Sequence, residues 1–267
     1  MNDPTDPPLR LTAVDDHPFV LNGIRRTVRD RAPWVQVIGP PCTVAELTAG
    51  RIGEPAGGPG LGPPPAAPAA VDVVILNLDR PSGGGDPAAD VRAIRRAGAQ
   101  VLLVTEREQP DPLCRAVAAG AAGLVGPADP AGRLVHALRS VRVGAPVVGE
   151  RLARALLTDR SWVTLLAPRF VRAFELLATG LAPADIGSRL DPPVAAATVR
   201  AYLHHGIGLY RTARRDPRAT AGPDRPDRPA PAPLAAMGWD ERGIAGVVRA
   251  PAPAPYAGGA PPVPEHR

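Results

Sequence analysis

Val71-Asp72-Val73-Val74-Ile75-Leu76-Asn77-Leu78-Asp79-Arg80-Pro81 is the stretch that decides the fold. Its apolar run, rich in β-branched side chains and closed by Pro81 with Gly83 to Gly85, reads as a strand buried on both faces. A second such run lies upstream: Leu9-Arg10-Leu11-Thr12-Ala13-Val14, ending in Asp15-Asp16-His17-Pro18. Shorter apolar runs follow at Val35–Ile38, Val101–Val104 and Gly123–Val125. The segments between them read as helices: 18–29, with Val20, Leu21, Ile24 and Val28 on one side, then 43–49, 88–96, 112–119 and 130–143. Five strands alternating with five helices predict an α/β fold, a doubly wound five-stranded parallel sheet over residues 9–143. Ligands of such sheets bind at the carboxyl ends of the strands, which is where Asp15, Asp16, Asn77 and Thr105 fall.

Outside this pattern the composition shifts. Residues 51–70 are Gly, Pro and Ala, and read as a flexible insertion between the second helix and third strand. Residues 144–160 read as a linker carrying a short helix, and 161–215 as a small all-α unit. From Asp216 to Arg267 the chain is rich in Pro and Ala, too poor in apolar side chains to offset its ordering entropy, and is expected to be disordered.

The chain has 267 residues, enough for two small domains. All 31 basic residues are Arg, and the formal net charge of +5 permits nucleic-acid binding without demanding it. Cys42 and Cys114 lie far apart without a CxxC partner, which argues against a zinc site or a disulfide framework. No apolar run approaches the roughly 20 residues of a membrane span, and the first residues lack a signal-peptide pattern, so a cytoplasmic protein that makes no membrane contact is expected. No Ser-His-Asp, His-rich metal or P-loop arrangement is present, so no enzyme is expected.

A strand ending in Asp15-Asp16, a strand ending in Asn77 ahead of Leu78 and Pro81, Thr105 at the end of the fourth strand, and Ala118-Ala119-Gly120-Ala121-Ala122-Gly123-Leu124 entering the fifth resemble the receiver domain of two-component response regulators. The resemblance implies a CheY-like (flavodoxin-like) fold in which an acidic pair holds Mg²⁺, an Asp accepts a phosphoryl group, and a Thr or Ser bonds its oxygen. Asn77 stands where that Asp would be, and Pro127 stands where the family carries a Lys. An amide is no nucleophile for phosphoryl transfer, so nucleophile and counter-charge are both missing. Asp79, roughly 6–7 Å further along an extended strand, would be misaligned as a substitute acceptor. Asp15 and Asp16 remain candidates for a weak Mg²⁺ site, and a small-molecule effector in the same cleft is a second expectation.

In the C-terminal unit, Leu166 to Phe170, Gly180-Leu181, Ile186-Gly187-Ser188-Arg189-Leu190 and Thr198-Val199-Arg200-Ala201-Tyr202 resemble the helix-turn-helix of LuxR/NarL-type regulators. The resemblance implies a recognition helix running from Ala195 to His205. On it, Arg200, Ala201 and His204 would face the major groove, while Thr198, His205 and Arg211 would meet phosphate oxygens, with Arg214 and Arg215 adding charge. Two extra residues enlarge the turn before this helix, Gly206 and Gly208 weaken it, and Asp216-Pro217 stand where a fourth helix would begin.

These features predict a DNA-binding transcriptional regulator that acts without phosphorylation, binds double-stranded DNA, and pairs as a homodimer or with another regulator. The alternative expectation is a non-DNA-binding regulator that acts only by protein pairing through its receiver-like domain.

Overall fold

The structure, a computed structural model, describes residues 7–16, 18–50, 71–80, 85–126 and 129–215. The expected insertion at 51–70, the loop residues 81–84, His17, Pro127, the side chains of Val20 and Leu21, and the expected disordered tail at 216–267 lie outside the described residues.

The sheet contains β1 (Leu9–Val14), β2 (Val35–Val37), β3 (Val73–Asn77), β4 (Gln100–Val104) and β5 (Gly123–Val125), all parallel, in the order β2-β1-β3-β4-β5. The expected doubly wound α/β sheet is present. Side chains alternate across it, as the period of two requires. Leu11, Ala13, Val73 and Ile75 point to one face, where α1 (Pro18–Arg31) contributes Ile24 and Val28, and α5 (Ala131–Arg142) contributes Val135, Leu138 and Val141. Val14, Val74, Leu76, Val101 and Leu103 point to the other face, covered by α2 (Val44–Thr48), α3 (Pro87–Arg96) and α4 (Pro110–Ala118). Burial on both faces is why the β1 and β3 sequences are nearly unbroken apolar runs rather than alternating ones.

Start signals are legible locally. Thr43 and Glu46 form a reciprocal capping box at α2, and Asp86 caps α3 by accepting from the Ala88 N–H at 3.2 Å. Gly123 is required in β5 by a close approach: a Cβ there would stand 2.3 Å from the Val147 carbonyl oxygen.

The second face of the sheet does not stop at α4. Its buried residues run on into the C-terminal helices as one apolar cluster. These helices are α6 (Glu150–Leu157), α7 (Arg160–Val163), α8 (Pro168–Ala178), α9 (Pro183–Arg189) and α10 (Ala196–Arg215). Residues 144–160, expected as a linker, contain α6, whose Leu152, Ala153 and Leu156 are buried in that cluster. Trp162 on α7 is 1% exposed and meets Phe174 and Tyr210 edge-on at centroid distances of 5.1 and 5.4 Å. Its indole N–H donates to the Gly206 carbonyl at 3.2 Å.

The expected helix ending near His205 instead continues to Arg215, 20 residues in all. Val199, Leu203, Gly206, Ile207, Tyr210 and Ala213 form one buried stripe along it. Gly206, expected to weaken the helix, is what lets it seat. A Cβ there would stand 2.5 Å from Phe174 Cε2. The enlarged turn before α10 closes through the Val194 N–H, which donates to the Gly187 carbonyl at 3.0 Å.

Candidate functional site: the strand-end pocket and the long C-terminal helix

At the carboxyl ends of β1 and β3 the chain has replaced an open acidic pocket with an internal network. Asn77 ends β3 and donates its side-chain amide to Asp15 Oδ2 at 3.0 Å, across paired strands. Its Oδ1 accepts the backbone N–H of Asp79 at 2.9 Å, a two-residue side-chain turn that bends the chain after Leu78. The two bonds fix the amide orientation, since exchanging its O and N would set oxygen against carboxylate and NH₂ against N–H. Asp15 is 6% exposed and Asp16 is exposed.

This geometry tests the expected Mg²⁺ site. A hard cation needs converging oxygens. Here Asn77 turns its nitrogen toward Asp15 and commits its oxygen to Asp79. Among the described residues no group of three or more metal-ligating side chains is assembled. The residues present do not fit Mg²⁺: an amide hydrogen bond stands where a cation would be needed.

The bend also carries Asp79 to Thr105, which is 2% exposed at the end of β4. The Thr105 hydroxyl donates to Asp79 Oδ1 at 2.7 Å, and the Glu106 N–H donates to Oδ2 at 2.6 Å. Arg107 adds an ion pair to Oδ1 at 3.2 Å, and its N–H donates to the Thr105 hydroxyl oxygen at 3.0 Å. The Asp79 carboxylate therefore occupies the hydroxyl, amide and guanidinium donors that this corner offers to an anion. Sequence reasoning placed Asp79 on a continued strand, out of reach, and missed its role. The signal available was the Asn-x-Asp spacing of a side-chain turn. Arg151 on α6 closes the corner from outside, donating to the carbonyls of Thr105 at 2.9 Å and Arg107 at 3.0 Å. A cavity of about 230 Å³ lies beside this corner, with Thr105, Arg107, Gln109, Leu113 and Arg115 among its lining residues.

The residues expected to meet DNA divide into two sets. Arg200 is exposed, and Thr198, Ala201 and His204 are half-buried along the first half of α10. Burial, and then the charge of Arg200, hold the His204 imidazole below its ordinary value. His136 on α5 is lowered in the same way, with Arg200 foremost among the charges acting on it, so the start of α10 stands near the receiver. His205, expected at phosphate, packs edge-on against Phe170 at 5.3 Å. Arg211, also expected at phosphate, turns inward and donates to the Ala121 carbonyl at 2.6 Å, in the loop before β5. Arg214, expected as free charge, pairs with Asp159. Burial raises the Asp159 carboxyl, but hydrogen bonds from Ser161 and Arg214 outweigh it and hold the group below the usual range. On the receiver side Cys114 Sγ contacts the Ala155 carbonyl at 3.4 Å, and burial raises its thiol pKa.

No family model matches the chain. Response regulator RamR of Streptomyces coelicolor is 31% identical over 142 residues, covering 53% of this chain and 68% of RamR. The chain belongs to the response-regulator family. Among solved structures, the RcsB response regulator of Salmonella typhimurium is similar at 21% identity and a TM-score of 0.45, over 77% of this chain and 93% of RcsB. A LuxR-family response regulator from Aurantimonas sp. SI85-9A1 is similar at 25% identity and a TM-score of 0.45, over 57% of this chain and 98% of that one. Within the response regulators, this chain couples a receiver sheet to C-terminal helices and resembles the NarL/LuxR type. No helix among the described residues is long and apolar enough to cross a membrane.

Proposed function

We propose that this response regulator is a cytoplasmic DNA-binding transcriptional regulator whose receiver works without phosphorylation. One observation carries the phosphorylation-independent part: the Asp79 carboxylate already accepts from the Thr105 hydroxyl and the Glu106 N–H, at 2.7 and 2.6 Å. A phosphoryl group would have to displace it. It would also find an amide, Asn77, in place of a nucleophile, and no metal-binding pocket to shield its charge. The receiver is thus a closed module, fixed by its own side chains.

The DNA-binding part rests on α8, α9 and α10. Val199 and Leu203 anchor the start of α10 in the helical core, and Arg200 remains exposed on it. Arg200 is the residue suited to bidentate reading of a guanine, with Thr198, Ala201 and His204 beside it. Arg211 acts differently. Its bond to Ala121 holds α10 on the receiver, so engaging DNA requires the helical unit to release that contact.

A second reading is favoured by a specific observation. The second half of α10 is spent on internal contacts through Tyr210, Arg211 and Arg214. A regulator that never releases them would act by pairing with another regulator instead of on DNA. Salt dependence separates the two. A DNA binder with several Arg–phosphate contacts loses affinity steeply as salt rises, whereas the pairing protein has no DNA affinity to lose.

A further inference from the structure

The seam between the receiver and α10 gathers cations without a carboxylate among them. Arg211 lies at its centre. Its Nη2 donates to the Ala121 carbonyl, while its Nε–H is enclosed by protein and has no partner. Arg95, at the end of α3, runs against the neighbouring loop residue, with its Cγ 3.7 Å from where a Cβ on Gly120 would stand. The Arg95 Nη1 donates only to the Ala99 carbonyl, at 3.1 Å. Arg215 follows Arg211 by one turn on α10 and is exposed. Among the described residues none of the three is in an ion pair, whereas Arg80, Arg107, Arg115 and Arg154 all are. Burial, then the charges of Arg95 and Arg215, lower the pKa of Arg211, which places the three within electrostatic reach of one another.

We propose that Arg95, Arg211 and Arg215 form a binding site for a free, phosphate-bearing polyanion of the diphosphate or triphosphate class. The enclosed Arg211 N–H lacks an acceptor, and a buried guanidinium without a counter-charge is a cost that a bound oxyanion removes. Planar guanidinium forks match phosphate oxygens two at a time. Three of them around one seam call for a ligand with several oxygens and more than one negative charge, which a single carboxylate does not supply. The backbone of a DNA duplex is too bulky to reach the enclosed Nε–H, so the ligand is a small one. Because Arg95 belongs to the receiver and Arg211 and Arg215 to the helical unit, the anion bridges the two and favours the docked arrangement. The proposal does not depend on DNA binding.

The test uses the full chain without DNA, titrated with inorganic pyrophosphate at fixed ionic strength, read by calorimetry and by the thermal midpoint. Binding to the folded state raises that midpoint. The expected result is saturable binding, weakened about tenfold by Arg95→Ala and by Arg215→Ala, as loss of one charge-assisted contact predicts. Both residues are exposed, so both variants keep the fold. Arg31→Ala, at the end of α1, binds pyrophosphate as the unaltered protein does. No binding, or a loss for Arg31→Ala equal to that for Arg95→Ala, overturns the proposal, the second outcome by reducing the effect to overall charge.

Discussion

The Thr105 hydroxyl points at the Asp79 carboxylate, 2.7 Å away, so the corner of the pocket that could take an external anion is already holding one of the protein's own. Asp79→Ala removes this acceptor along with those of the Glu106 N–H and the Arg107 guanidinium. Thr105 is 2% exposed and would be left with a hydroxyl that has lost its acceptor. The expected loss is about 1–3 kcal/mol in urea unfolding. A variant as stable as the parent would show that the bonds contribute nothing net.

Asn77→Asp does not restore phosphorylation. The new carboxylate would stand about 3 Å from Asp15 in place of a donor, with no metal site to separate the charges. Intact mass after incubation with acetyl phosphate and Mg²⁺ should show no added phosphoryl group. Unfolding should show a stability loss on the order of 1–3 kcal/mol. Stoichiometric phosphorylation would mean that Asp79 yields the corner readily.

Two glycines on α10 have opposite fates. Gly206→Ala drives a methyl group to within 2.5 Å of Phe174 and is expected to destabilise by about 1–3 kcal/mol, helix propensity notwithstanding. Gly208→Ala meets nothing within 4 Å and should stabilise by up to about 1 kcal/mol. Denaturant midpoints of the pair check the packing of α10. Equal shifts would contradict it.

Much of this was written locally. Strands β1 and β3 are legible because burial on both faces leaves little but apolar residues, and the start of α2 because Thr43 and Glu46 cap each other. Asn77 is legible by identity at a strand end. Asp79 was not, because its reach depends on the chain bending after Leu78 rather than continuing as a strand. Gly206 reads as a helix breaker until Phe174, on another helix, supplies its reason. Arg211 reads as a phosphate contact because its partner, Ala121, lies 90 residues away and carries no charge.

Acidification should loosen the helical unit. His204 and His205 are both held below their ordinary value of 6.5, each chiefly by burial, His204 also by Arg200. A depressed folded-state pKa means that the unfolded chain takes up protons more readily. The stability is therefore full above 6.5 and is lost as pH falls through 6.5 toward the folded values. The thermal midpoint should drop between about pH 7 and about pH 5, and less steeply in His204→Gln. An unchanged slope in that variant would remove His204 from the account.

Arg211→Ala separates a clasp from a phosphate contact. As a clasp, Arg211 holds α10 on the receiver, and its loss should raise affinity for duplex DNA severalfold in a gel-shift titration. As a phosphate contact, its loss would lower affinity and reduce the salt slope by about one.

The measurement that tests the central claim most directly is selection from a random double-stranded library by the full chain at physiological salt, with and without acetyl phosphate. The account predicts one enriched motif, the same in both arms and lost in Arg200→Ala. No enrichment from folded protein, or enrichment only after acetyl phosphate, would contradict it.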